Sequence, residues 1–325
     1  GVNADDYSGR SVSYAGDING DGIDDVIIGA NGADPNGNSL AGSSYVVFGS
    51  ASGFTHPFNL SGLNGSNGFV INGINVGDNS GYSGSYAGDF NGDGIGDLII
   101  GIHNASPNGN NLAGSSYVLF GKTSGFPAQF NLSSINGING IVINGKSAVD
   151  RSGRSVSYAG DVNGDGIDDL IIGAYSADPG GNLYAGSSYV VFGSDLALPS
   201  PLNLVTINGT NGFVINGINT NDRSGFSVSH AGDINGDGID DVIIGAFNAS
   251  SNNVAGAGSS YVVFGSDVDI THPFNLSSLN GSNGFVINGI NTNDRTGISV
   301  SQAGDVNGDG FDDLIVGAIY GDSIV

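Results

Sequence analysis

Short apolar runs alternate along the whole chain with stretches rich in Gly, Asn, Asp and Ser. Near the start the runs are RSVSYAG (Arg10–Gly16), DVIIGA (Asp25–Ala30), SSYVVFG (Ser43–Gly49) and GFVING (Gly68–Gly73). Each is the length of a strand and rich in Val, Ile, Tyr and Phe, so the pattern predicts four short strands. The cores VII and YVVF are apolar at consecutive positions, which suits sheets covered on both faces. Between the strands lie an Asp/Gly loop, an Asn/Pro/Gly-rich loop and a longer connection, ASGFTHPFNLSGLNGSN. No segment sustains a 3.6-residue apolar period with caps, so helices are expected only as single turns.

The same pattern returns at a fixed interval. DINGDGIDD begins at Asp17, and its relatives begin at Asp89, Asp161, Asp233 and Asp305, always 72 residues apart. AGSSYV recurs from Ala41, Ala113, Ala185 and Ala257, and VIN from Val70, Val142, Val214 and Val286, in the same register. The repeats therefore run 1–72, 73–144, 145–216, 217–288 and, incomplete, 289–325. A four-stranded unit repeated radially predicts an all-β fold: a β-propeller of four-stranded antiparallel blades, at least five of them, forming a single domain or a fragment of one. A β-solenoid is the structural competitor, but its rungs are usually much shorter than this repeat.

Composition narrows the classes of function. Of 325 residues, 31 are acidic and 7 are Lys or Arg, giving a formal charge of −24. All the acids are Asp, which favours turns and oxygen-ligand loops over helices. Such a surface is the wrong sign for a phosphate backbone, so no nucleic acid partner is expected. The absence of Cys excludes disulfides and thiol chemistry. No apolar run reaches the roughly 18 residues of a membrane helix, so no membrane insertion is expected. The chain begins at Gly1 without Met and reads as a processed or excised piece.

Each Asp/Gly loop places acids or amides at positions one, three, five and nine, with Gly at four and six. This alternation lets a tight turn gather side-chain oxygens, and Gly admits the positive-φ bends it needs. In the first copy the oxygens come from Asp17, Asn19, Asp21 and Asp25, with the carbonyl of Ile23. The second copy offers Asp89, Asn91, Asp93, Ile95 and Asp97; the third offers Asp161, Asn163, Asp165, Ile167 and Asp169. The fourth has Asp233, Asn235, Asp237, Ile239 and Asp241, and the fifth Asp305, Asn307, Asp309, Phe311 and Asp313. A hard cation wanting six to eight oxygens fits, Ca²⁺ better than Mg²⁺, so about one Ca²⁺ per repeat is expected, five in all. The pattern opens like an EF-hand loop, but position twelve is Ile28, so the ninth-position Asp must close the site. A metal-free turn is the alternative for one such loop; five copies in register weigh against it, because three converging carboxylates repel without a cation. The eighth residue varies (Asp24, Gly96, Asp168, Asp240, Asp312) and reads as solvent-facing.

The stretch SGRSVSYAGDINGDGIDDVIIGA and its four relatives resemble the FG-GAP repeat of integrin α-subunit propellers and many bacterial extracellular proteins. The resemblance implies Ca²⁺ in the hairpin between the first and second strands of each blade, on the four side-chain positions just named. The chain departs from the family pattern at the Phe of FG (Ser8, Ser80, Ser152, Ser224, Thr296). It departs again at the Pro of GAP (Asn31, His103, Tyr175, Phe247, Ile319), with Ile102 in place of Ala. Family propellers usually have seven blades, so a fragment of a larger propeller is expected.

Repetition of one set of groups argues against an enzyme, which needs unlike groups in a unique constellation. His56 and His272 share a THPF context and read as surface turns; His230 replaces the Tyr found at Tyr14, Tyr86 and Tyr158 and is expected to shape the propeller centre. His103 falls in a variable loop as a ligand-contact candidate. The loops between strands two and three vary most, from NGADPNGNSLA to FNASSNNVAGA, and belong on the face opposite the metal loops. The expected function is an extracellular or cell-surface adhesion and recognition module of a larger protein, binding a protein or glycan on that face, with Tyr175 and Tyr184 as stacking candidates. The alternatives are a self-associating structural building block and an accessory domain of a polysaccharide- or lipid-degrading enzyme.

Overall fold

The structure, a computed structural model, describes residues 1–268 and 270–321. The first repeat forms β1 (Ser8–Gly16), β2 (Asp25–Ala30), β3 (Ser43–Val47) and β4 (Gly68–Asn72). The second forms β5 (Ser83–Tyr86), β6 (Leu98–Ile102), β7 (Ser115–Leu119), β8 (Gln129–Asn131) and β9 (Gly140–Asn144). The third forms β10 (Ser155–Gly160), β11 (Asp169–Ala174), β12 (Ser187–Val191), β13 (Leu202–Asn203) and β14 (Gly212–Asn216). The fourth forms β15 (Ser227–Gly232), β16 (Asp241–Ala246), β17 (Ser259–Val263), β18 (Phe274–Asn275) and β19 (Gly284–Asn288). The last described elements are β20 (Thr296–Gly304) and β21 (Asp313–Ala318). The helical segments among the described residues are three-residue 3₁₀ turns such as Leu132–Ser134.

Each of the first four repeats is an antiparallel meander of four strands, as its apolar pattern predicts, the last described strands β20 and β21 form an antiparallel pair, and the whole is an all-β blade architecture. The long connection departs from the expectation of a plain loop. Its FNL or LNL segment forms β8, β13 or β18 and adds in parallel to the last strand of the preceding blade, pairing Ile71 with Phe130, Ile143 with Leu202 and Ile215 with Phe274. Three sheets are therefore five-stranded, and each such strand latches one blade to the next.

The core lies between blades. Val46, Phe69 and Ile71 of the first blade pack against Leu98, Ile100, Leu119 and Phe130 of the second, with Phe69 stacked on Phe126 at 4.3 Å. The next interface joins Ile99, Val118 and Ile141 to Leu170, Ile172 and Tyr189. Both faces of a middle sheet are thus buried, which is why its strands are apolar at consecutive positions. Adjacent blades approach so closely that a Cβ on Gly173 would stand 2.0 Å from the Gly225 carbonyl oxygen. The first strands of the meanders, β1, β5, β10, β15 and β20, stand side by side around a shared channel of about 560 Å³. Because β1 and β2 are antiparallel, the Asp/Gly loops open at one end of this channel and the strand-two-to-three loops at the other.

Candidate metal loops

A register shift between Tyr158 and Gly160 ends the first strand of the third blade and turns the chain into its Asp/Gly loop; the same shift occurs at Tyr14/Gly16 and His230/Gly232. Gly20 and Gly22, at φ 71° and 87°, make the left-handed bends. The first Asp then caps its own loop: Asp161 accepts hydrogen bonds from the N–H groups of Asp165 (3.0 Å) and Gly166 (2.8 Å). Asp165 accepts one from Ile167 N–H at 2.9 Å, and Asn163 one from Asp165 N–H at 2.9 Å. Asp17, Asp89, Asp233 and Asp305 act in the same way in their copies.

The ninth-position Asp sits beneath the loop. Asp25, Asp97, Asp169 and Asp241 are at most 1% exposed, whereas Asp313 in the last copy is half-buried. Asp169 ties the loop to the blade, accepting from Val162 N–H at 3.0 Å and Gly193 N–H at 2.9 Å. Burial, reinforced by the first and fifth carboxylates, pushes Asp25 up to about 6, Asp241 to about 7 and Asp97 to about 8, and raises Asp169 well above its ordinary value. A buried carboxylate beside two others favours either a proton or a cation.

Among the described residues, no group of three or more Asp or His side chains is drawn together as a preformed cluster. The first and fifth acids lie at the surface of each loop and the ninth below it, each turned to backbone N–H groups. The donor set nevertheless fits a hard cation. Every candidate ligand is an oxygen, Asn19 Oδ1 and Asp97 Oδ2 are buried without a donor, and the carbonyls of Ile23, Ile95, Ile167, Ile239 and Phe311 accept no backbone hydrogen bond among the described residues. A bound ion would satisfy these acceptors.

The eighth position corrects the sequence reading. Asp168 is half-buried and accepts a 2.6 Å hydrogen bond from the N–H of Asp89, the first loop residue of the preceding blade. Asp240 does the same for Asp161 at 2.9 Å, and Asp312 for Asp233 at 3.3 Å. Only Asp24 is exposed, bonded by the Tyr14 hydroxyl at 3.0 Å. At Gly96, where the acid is missing, a Cβ would stand 2.7 Å from the edge of the Tyr86 ring. The carbonyl of the second loop residue is held by the next blade too: Ile18 by Lys122 N–H, Phe90 by Ser194 N–H, and Val162 by Ser266 N–H, at 2.9 to 3.0 Å. The first four loops are therefore each tied to a second blade.

At the same end of the channel, Tyr14, Tyr86, Tyr158 and His230 form a ladder with ring centroids 4.8 to 5.5 Å apart. His230 completes it between Asp240 at 2.9 Å and Gln302 at 3.1 Å, so it does shape the centre. His103 is no open loop residue. It is 7% exposed, packs edge-on against Tyr82, and is held neutral because burial, aided by Arg154, Arg151 and Arg10, lowers its pKa to about 3.

The family model for the FG-GAP repeat matches the chain five times, over residues 8–47, 80–119, 152–191, 224–263 and 296–323. Each match spans the first three strands and the Asp/Gly loop, or as much of that unit as the last repeat contains. Among curated proteins, the phosphatidylinositol-glycan-specific phospholipase D of Bos taurus is 31% identical over 160 residues, 49% of this chain and 18% of the relative. That of Rattus norvegicus is 31% identical over 165 residues (51% and 18%), and that of Dictyostelium discoideum 29% over 194 (56% and 19%). The chain spans less than a fifth of the length of these relatives.

Proposed function

The chain belongs to the FG-GAP repeat family, and on that premise we propose that it is a calcium-stabilised, extracellular recognition module of a larger protein, binding rather than catalysing. The observation that carries this reading is the fivefold Asp/Gly loop, all-oxygen and under-satisfied, its first four copies clamped between consecutive blades. Extracellular Ca²⁺ modules bind with Kd on the order of 10⁻⁴ to 10⁻³ M. At about tenfold excess over Kd each site stabilises the fold by about 1.4 kcal/mol, roughly 7 for five independent sites, comparable with the net stability of a whole domain. Cytosolic calcium would leave such loops empty, which supports an extracellular setting. No described helix is long and apolar enough to cross a membrane.

The recognition face in this reading is the end opposite the loops, where the variable strand-two-to-three connections gather. The likeness to a phospholipase D region favours a second reading, an accessory domain appended to a lipid-degrading enzyme. Thermal melts in millimolar Ca²⁺ and in chelator test the calcium premise: the midpoint should fall on chelation, and an unchanged midpoint would sink it. Light scattering over a concentration series separates a module from a self-assembling block, since the module stays monomeric.

A further inference from the structure

Five of the seven cationic residues in the chain are arginines, and all five meet at the channel end opposite the metal loops. Arg154 lies between two rings, its guanidinium carbon 4.3 Å from the Tyr82 centroid and 4.2 Å from that of Phe226. Arg10 also lies over Tyr82, 4.0 Å from its centroid, and donates to its hydroxyl. Arg223 stacks between Tyr175 and Tyr184, and Arg295 lies over Phe247, which packs on Phe226 at 4.4 Å. Arg151 donates to Asn104 at 2.7 Å. In a chain with 31 Asp, none of these arginines forms an ion pair among the described residues, where the one recorded pair is His230–Asp240. Arg154 also donates no hydrogen bond to a protein acceptor there, and burial with little compensation lowers its pKa.

Stacking occupies the faces of a guanidinium and leaves its edge, the part that grips a carboxylate in a bidentate pair. Below the arginines the channel is lined by the serines of the S-x-S motifs, such as Ser83, Ser85 and Ser157. We propose that this channel mouth is a binding site for a carboxylate-bearing sugar chain, with Arg154 and Arg223, oriented by the rings they stack on, gripping uronate carboxylates and the serine lining meeting the sugar hydroxyls. The global charge selects against denser polyanions: a formal −24 repels a sulfated polymer or nucleic acid, whereas one carboxylate per sugar ring is gripped within a Debye length of about 8 Å. The described lining of the channel is rich in Ser hydroxyls, so a peptide side chain fits it less well than a hydroxylated ring does.

This proposal deepens the recognition reading and rests on it. Its test is calorimetric titration of the full chain with tri-galacturonic acid in saturating Ca²⁺, the melting midpoint being recorded alongside. A collapsed melt then reports failure of the calcium premise, and a normal melt without heat reports failure of the site. Saturable binding is expected, with neutral galactotriose and a tri-glutamate peptide binding at least tenfold more weakly. Arg154→Gln and, separately, the half-buried Arg223→Gln should each weaken binding about tenfold with the melt intact; Arg154→Lys should recover part of it, and Lys146→Gln should change nothing. Absence of binding, equal affinity for the peptide, or full affinity in both glutamine variants would overturn the assignment.

Discussion

Replacing Asp168 by Ala removes an acceptor from another blade's Asp/Gly loop. Its carboxylate accepts the Asp89 N–H at 2.6 Å. A hydrogen bond to a charged group is worth about 1.5–3 kcal/mol, and its loss leaves the Asp89 N–H without a partner. Half-burial lets water replace part of this, so Asp168→Ala should cost about 2 kcal/mol, roughly 3 °C in Tm. Asp168→Asn keeps a neutral acceptor and should lose about half as much. Asp24→Ala, at the equivalent but exposed position, loses only the Tyr14 hydroxyl contact and should cost under about 0.5 kcal/mol. Differential scanning calorimetry of the three variants in saturating Ca²⁺ gives the order directly. If Asp24→Ala were as damaging as Asp168→Ala, the interblade role of the eighth position would be refuted. The same calorimetry in chelator should show a smaller penalty for Asp168→Ala, because the loop it braces is then less ordered.

Other outcomes follow from packing and titration. Unfolded His103 takes up a proton near pH 6.5 while the folded residue resists until about pH 3, so it removes stability as pH falls between those values. His103→Phe, the residue found at the equivalent Phe247, should therefore gain about 2 kcal/mol over the parent on going from pH 7 to pH 5 in urea unfolding; a constant difference would contradict the buried neutral imidazole. Phe69→Ala opens a cavity beneath Phe126 and should cost about 3–5 kcal/mol by the same assay. Gly173→Ala drives a methyl into the Gly225 carbonyl and should separate two blades, seen as faster hydrogen exchange across β10–β12 and β15.

The strands were legible because β-branched and aromatic runs bounded by Gly and Asn leave little choice. The second strand of the first repeat falls on Asp25–Ala30 as read, and the third ends at Val47, two residues short of the run. The latch strands were not legible. Each is two or three residues long and joins a blade of the preceding repeat, so its pairing is non-local; the only signal is FNL or LNL recurring in a segment that otherwise looks like a loop. Repetition exposed the loop acids at positions one, three, five and nine. The eighth position misled because its partner lies 79 residues away, in the loop of another blade, and because Gly96 made the position look unconstrained. The arginines escaped notice as scattered single residues, and only the side-by-side inner strands bring them to one channel mouth.

The central claim is that the five loops are filled by calcium and hold the blades together. Counting ions by equilibrium dialysis of the full chain tests it most directly. The account predicts saturable uptake of about five Ca²⁺ per chain at millimolar concentration, moving the formal charge from −24 to −14, with one ion lost in Asp161→Ala. No saturable uptake, or a stoichiometry unchanged in that variant, would contradict it.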